Sequence, residues 1–79
     1  SRSMMRRNHL GQLVLDGYLM MSESEKEDIM EYVFRYYYDR NDMNLDTALD
    51  EILGDLVIYE HQEEYERCAL LKDIIERFE

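Results

Sequence analysis

Apolar side chains recur along this chain mainly at helical intervals, and the pattern predicts four helical segments. The first segment is defined by Leu10, Leu13, Val14, Tyr18 and Met21. A β-hairpin is the alternative here, because Asp16-Gly17 is a favoured hairpin turn and separates two apolar runs. The chain has no proline and only three glycines, so helix ends must be inferred from caps and loop composition.

Two overlapping capping boxes precede the second predicted helix. Ser22 with Glu25, and Ser24 with Glu27, both have the spacing in which serine and glutamate bind free backbone N–H groups. We predict a helix from about Ser24 to about Tyr38.

Apolar residues cover roughly 240° of this second helix, which is wider than one buried stripe requires. They are Ile29, Met30, Tyr32, Val33, Phe34, Tyr36, Tyr37 and Tyr38. One interpretation is a central helix with tyrosine hydroxyls reaching solvent. The other is a surface that binds another chain, since tyrosine combines a large apolar ring with a polar tip.

A polar connection over residues 39–44 leads to the third helix, which is the clearest of the four. Its apolar stripe consists of Leu45, Ala48, Leu49, Ile52, Leu56 and Tyr59. Gly54 and Ile58 point away from that stripe. Ile58 is therefore either incidental or part of a second contact surface.

The fourth helix begins near Glu63 and is predicted to fold back on the third. Its clustered apolar residues are Cys68, Leu71, Ile74, Ile75 and Phe78. Residues 60–62 between the two helices include neither glycine nor proline. The alternative is one continuous helix from Leu45 to Phe78, which would require dimerisation to bury its two apolar faces.

These segments predict an all-α fold: a small bundle of three to four helices with a C-terminal antiparallel helical hairpin. We assign residues 9–79 to a single acidic helical domain and residues 1–8 to a flexible basic N-terminus, in which residues 1–3 resemble a cloning remnant. A chain of 79 residues buries only about 60% of its unfolded surface, so support from a partner is expected.

Charge is distributed unevenly along the chain. The formal net charge is −10, and residues 22–79 carry six basic against eighteen acidic side chains, a net of −12. Such a surface repels phosphate backbones and attracts basic proteins, so no direct nucleic-acid binding is expected. A surface that serves only solubility is the plainer interpretation.

Localisation is predicted to be cytoplasmic, with no membrane association. The single cysteine, Cys68, has no partner for an internal disulfide, which suits a reducing compartment. No apolar run approaches the roughly 18 residues needed to span a bilayer. A signal-peptide pattern is also absent from the sequence given.

Catalytic, metal and cofactor sites are not predicted. Cys68 lies on an inferred buried face without a histidine beside it, and His9 and His61 fall in regions expected to be solvated. Residues 42–46 resemble the opening of a calcium loop, but Thr47 and Leu53 stand where glycine and glutamate are needed. We therefore expect a protein that is not an enzyme.

The fourth helix resembles the second helix of a UVR motif. The matching positions are Glu64, Tyr65, Glu66, Cys68, Ala69, Leu71, Lys72, Asp73 and Ile75. Cys68 and Lys72 stand where alanine and arginine are usual, and Tyr59 and Glu60 where small residues are usual. UVR motifs are helical hairpins found in a bacterial excision-repair helicase, in its nuclease partner and in some regulators of Clp proteases. The resemblance, over residues 50–78, implies a hairpin that pairs with a similar hairpin.

The predicted function is noncatalytic protein–protein interaction, as an adaptor or regulatory subunit, with homodimerisation as one route. The predicted contact residues are Tyr32, Tyr36, Tyr37 and Tyr38 for one surface, and Tyr65, Cys68, Leu71 and Ile75 for hairpin pairing. The alternative is an acidic inhibitor that mimics nucleic acid and occupies the groove of a DNA-binding protein. Binding by such a mimic would collapse with salt.

Overall fold

A computed structural model describes residues 5–7, 13–15 and 17–79. In chain order they form strands β1 (Met5–Arg7) and β2 (Leu13–Leu15), a 3₁₀ helix (Tyr18–Met20), and helices α1 (Glu23–Arg40), α2 (Leu45–His61) and α3 (Tyr65–Phe78). The predicted helical class and small bundle are confirmed. A short antiparallel sheet, in which Met5 lies opposite Leu15, adds to the helices.

The predicted first helix is wrong. Residues 13–15 are a strand that pairs with β1, and residues 18–20 form a single 3₁₀ turn. The hairpin alternative required the apolar runs on either side of Gly17 to pair with each other, and they do not. Gly17 has φ +71°, and its N–H and that of Leu19 donate to the Glu66 carboxylate at 3.1 and 3.2 Å. This contact with α3 fixes a turn where the local pattern favoured a helix.

Leu10 and Asp16, which belonged to that prediction, lie outside the described residues. So does most of the predicted flexible N-terminus, of which only residues 5–7 are described.

Helix α1 begins with the first of the two capping boxes. The Ser22 hydroxyl accepts from the N–H of Glu25 at 3.2 Å, and the Glu25 carboxylate accepts from the N–H of Ser22 at 2.9 Å. Ser22 is therefore the N-cap, and the helix begins at Glu23, one residue before the predicted start near Ser24. It continues to Arg40, past the predicted end at Tyr38.

The α2–α3 connection excludes the continuous helix. Helix α2 ends at His61 and α3 begins at Tyr65, with Glu63 in the left-handed conformation at φ +60°. The N–H groups of Glu63 and Glu64 donate to the carbonyls of Glu60 and Tyr59. These bonds satisfy the end of α2 without glycine or proline, which explains why composition alone did not reveal the break.

The core lies where all three α-helices and the 3₁₀ turn meet. Tyr18, Ile52 and Ile74 are fully buried. The other buried apolar residues are Met21, Ile29, Met30, Tyr37, Ala48, Leu56, Cys68, Leu70 and Leu71. Among the described residues, every buried polar side-chain atom has a hydrogen-bond partner.

Candidate functional site

Helices α1 and α2 both expose large apolar side chains. On α1, Tyr32 and Tyr36 are 52% and 54% exposed and lie one turn apart. On α2, Leu53, Val57 and Ile58 are 47%, 52% and 52% exposed. These five residues, together with Gly54, are called the outer apolar surface below.

Arg40 connects Tyr36 of this surface to helix α2. Its guanidinium donates to the Tyr36 hydroxyl at 2.8 Å and forms an ion pair with Glu51 of α2 at 3.0 Å. The guanidinium carbon also lies 5.2 Å from the centre of the Tyr36 ring. Because Glu51 and Ile58 are two helical turns apart, they share one side of α2. Tyr36 and Ile58 therefore lie on the same side of the α1–α2 contact.

Of the predicted contact residues, Tyr37 is packed within the bundle and Tyr38 is partly buried. Tyr37 is 6% exposed, and its hydroxyl donates to Asp55 of α2 at 2.7 Å. Burial, and then the Asp55 carboxylate, raise the pKa of Tyr37 well above its ordinary value. Tyr38 is half-buried and its ring stacks on Phe34. Tyr32 and Tyr36 are thus the two predicted tyrosines that are more than half exposed.

The residues predicted for hairpin pairing also divide between core and surface. Cys68 and Leu71 are buried, Ile75 is half-buried, and Tyr65 is 65% exposed. A partner would reach Cys68 or Leu71 only if the bundle opened. Pairing through these two residues stays a prediction.

Other residues of the UVR-like pattern have partners within the chain. Glu66 accepts from the backbone of the 3₁₀ turn, as described above. Asp73 accepts from the buried Tyr18 hydroxyl at 2.6 Å, and Lys72 lies 3.6 Å from Glu60 of α2. The polar positions of the pattern thus hold α3 to its neighbours in the same molecule.

Gly54 is the least expected part of the outer apolar surface. It lies within the 17-residue helix α2, and a Cβ atom placed there meets nothing within 4 Å. Glycine inside a helix costs about 1 kcal/mol relative to alanine. No contact within the described residues requires a glycine, whereas the open space suits close approach by another molecule.

Leu53 and Val57 are the surface residues that sequence reasoning missed. They flank the buried stripe of α2, lie one turn apart, and with Ile58 make three exposed apolar residues in the second half of the helix. The available signal was the number of apolar residues outside that stripe: three within six positions of one helix.

The carboxylates beside this surface are not all neutralised. Glu51 is paired with Arg40, and Glu60 with Lys72. By contrast, Asp46 and Asp50 are exposed and have no ion pair among the described residues. One end of the outer face of α2 is therefore acidic.

Reactive or ligand-binding centres are not evident elsewhere in the described residues. They contain no group of three His, Cys, Asp or Glu side chains arranged to hold a metal ion. Burial raises the pKa of the Cys68 thiol, which disfavours the nucleophilic thiolate. An open groove of about 430 Å³ lies between α1 and α3, lined by Glu23, Lys26, Met30, Asp73, Glu76 and Arg77. Its mixed charges favour no single class of ligand.

Comparison with known proteins identifies no family. No protein-family model, curated protein or solved structure matches the chain. The UVR resemblance stays a prediction based on residues 50–78. In the described part of the chain, none of the helices combines the length and apolar character needed to cross a membrane.

Replacing Gly54 by alanine should stabilise the isolated protein by about 1 kcal/mol, because the substitution improves helix propensity without a clash. Thermal unfolding followed by circular dichroism should show a midpoint about 4–8 °C higher for a domain of this size.

Gly17→Ala provides the matched control with the opposite sign. At φ +71°, alanine should cost about 1–2 kcal/mol although space is available for its Cβ. If the Gly54→Ala variant melts at or below the wild-type temperature, the isolated fold requires this glycine and the prediction is wrong.

Proposed function

We propose that this protein is a noncatalytic protein–protein interaction module, an adaptor or regulatory subunit, that binds a protein partner through the outer apolar surface. The observation that carries the proposal is the exposure of five large apolar side chains on α1 and α2, outside a core that buries other apolar residues of these helices. Several large apolar side chains exposed on neighbouring helices are typical of interaction sites. A cytoplasmic location belongs to the proposal and is supported by Cys68, a free buried thiol.

Helices α2 and α3 are proposed to form the antiparallel hairpin that the UVR resemblance implies. Only residues 62–64 separate the two helices. Arg67, in the first turn of α3, donates to the Tyr59 hydroxyl near the end of α2 at 3.2 Å, as expected for a chain that reverses direction there. In this arrangement α3 holds the hairpin to α1, and α2 presents its outer face to the partner.

An acidic nucleic-acid mimic is the second candidate. It is supported by the net charge of −12 over residues 22–79 and by exposed, unpaired carboxylates such as Asp46 and Asp50. A mimic binds through those charges, so salt and duplex DNA should release its partner. An interaction made through Tyr36, Leu53 and Val57 should be much less sensitive to both.

The test is affinity capture from a lysate of the source organism with three baits. They are the wild type, Leu53→Gln/Val57→Gln, and the control Leu19→Gln/Met20→Gln, which changes exposed apolar residues on the 3₁₀ turn. We expect the wild type and the control to retain a partner that resists moderate salt and duplex DNA. The Leu53→Gln/Val57→Gln bait should lose it while keeping its helical circular dichroism.

Each other outcome has a definite meaning. Retention of the partner by the Leu53→Gln/Val57→Gln bait would overturn the assignment of the surface. Release of the partner by DNA, with no loss of the partner from the Leu53→Gln/Val57→Gln bait, would favour the mimic. Recovery of the bait alone, with a dimer by sedimentation that Leu53→Gln/Val57→Gln dissociates, would make a second copy the partner.

A further inference from the structure

The outer face of α2 combines an apolar centre with an acidic end, and the two together define what it can bind. Asp46, Asp50 and Gly54 follow one another at intervals of four residues, so they lie along one side of the helix. Leu53 and Val57 lie beside them on the same face. Neither aspartate has an ion pair among the described residues.

We propose that this face binds one amphipathic helix of a basic partner protein, with apolar residues packed over Gly54 and Lys or Arg side chains placed against Asp46 and Asp50. This inference rests on the proposed function and specifies the partner's chemistry. The face from Asp46 to Ile58 is about 18 Å long, which corresponds to a partner helix of about three to four turns.

Gly54 argues for a helix as the bound element. The space above its Cα is open, and the exposed Val57 and Ile58, three and four residues further along α2, lie to either side of it. A backbone can approach closely where a side chain is missing, and the ridge of one helix fits between the side chains of another. The glycine therefore has a use in the complex that it lacks in the isolated chain.

The positions of the aspartates argue against a second copy of this chain. If two α2 helices crossed antiparallel at Gly54, Asp50 would lie opposite Ile58 of the other copy, because each is four residues from the crossing point. In a parallel crossing, Asp50 would lie opposite Asp50. Both arrangements bury a carboxylate without a cation, which is costly. Each copy also carries a formal charge of −10. A basic helix removes both penalties.

The inference can be tested by fluorescence anisotropy with two synthetic labelled helices of about 18 residues. Both peptides have the same leucine stripe, and the flanking positions are lysine in one and glutamate in the other. We expect the full chain to bind the lysine peptide and not the glutamate peptide. Asp46→Asn/Asp50→Asn should weaken binding about tenfold, and so should Gly54→Leu, which fills the open space.

Asp28→Asn/Glu31→Gln is the matched control, because it removes two exposed, unpaired carboxylates from α1. It should change the affinity for the lysine peptide less than about twofold. An equal loss in this control would show attraction to the overall charge and would overturn the inference. So would lysine-peptide binding that Gly54→Leu leaves unchanged.

The inference and the proposed function fail separately. If Leu53→Gln/Val57→Gln abolishes capture of the cellular partner while Asp46→Asn/Asp50→Asn leaves it intact, the interaction surface stands and the basic helix is excluded. If both pairs of substitutions leave capture intact, the proposed surface fails as well.

Discussion

Tyr18→Ala should destabilise the bundle by about 3–5 kcal/mol, the cost typical of removing a large buried aromatic side chain. Tyr18 is fully buried, and its hydroxyl donates to Asp73 of α3. A domain of 79 residues has a total stability of about 4–12 kcal/mol, so the variant should be largely unfolded or close to it. Urea unfolding followed by circular dichroism measures the change.

Two variants separate the contributions of the ring and the hydroxyl. Tyr65→Ala makes the same chemical change at a residue that is 65% exposed, and should stay within about 0.5 kcal/mol of the wild type. Tyr18→Phe keeps the ring and should cost about 1–2 kcal/mol through the lost hydrogen bond. If Tyr18→Ala unfolds at the wild-type urea concentration, the 3₁₀ turn does not stabilise the bundle.

The three long helices were predictable because apolar residues recur at helical spacing in each, and because the capping boxes before α1 and the polar connection before α2 are local end signals. The cap of α1 shows a feature that local sequence does not predict. Ser22 and Ser24 both fit the capping box, and local sequence does not distinguish them. Ser22 is the cap, and Met21, the residue just before it, is buried in the core. Burial of a neighbouring residue is a property of the whole fold.

The segment before α1 was predicted incorrectly because its conformation depends on a residue 49 positions away. Glu66 accepts from the backbone of Gly17 across that separation. Hydrophobic spacing carries no information about such a bond, and spacing alone placed Tyr18 in a helix. In the fold, Tyr18 is instead a central core residue that meets α3.

The tyrosine-rich helix was predicted to be either central or an interface, and α1 combines both roles. Tyr37 is buried, and its hydroxyl donates to Asp55 of α2, while Tyr36 is half-exposed and its ring contacts Arg40 and the ring of Tyr37. Adjacent tyrosines are identical in composition and propensity. What separates them is which side of α1 meets α2, and that is set by the packing of the bundle.

Alkaline pH should destabilise this protein more than it destabilises a helical bundle whose tyrosines are all exposed. Burial, followed by hydrogen bonds to Asp73 and Asp55, raises the pKa of Tyr18 and of Tyr37 well above the ordinary value. In the unfolded chain both phenols have a pKa of about 10. A pKa that is higher in the folded state means that folding favours the neutral phenol.

The stability contributed by these tyrosines is therefore fully present below about pH 10 and decreases as the pH rises above it. At about pH 11 each unfolded tyrosine gains about 1.4 kcal/mol by ionising, so the two together should lower the free energy of unfolding by about 3 kcal/mol. Urea midpoints at neutral pH and at about pH 11 measure the loss, and phenolate absorbance should rise together with unfolding.

The double variant Tyr18→Phe/Tyr37→Phe is the control for this prediction. It should be less stable than the wild type at neutral pH, because two hydrogen bonds are lost, but its stability should fall much less between neutral pH and about pH 11. Tyr32→Phe/Tyr36→Phe, at two exposed positions, should keep the wild-type pH dependence. Parallel pH profiles for the wild type and the Tyr18/Tyr37 variant would mean that these two phenols ionise as readily in the folded protein as in the unfolded chain. Their burial against Asp73 and Asp55 would then not persist in solution, and the contacts that hold α1 to α2 and the 3₁₀ turn to α3 would have to be sought in the apolar core alone.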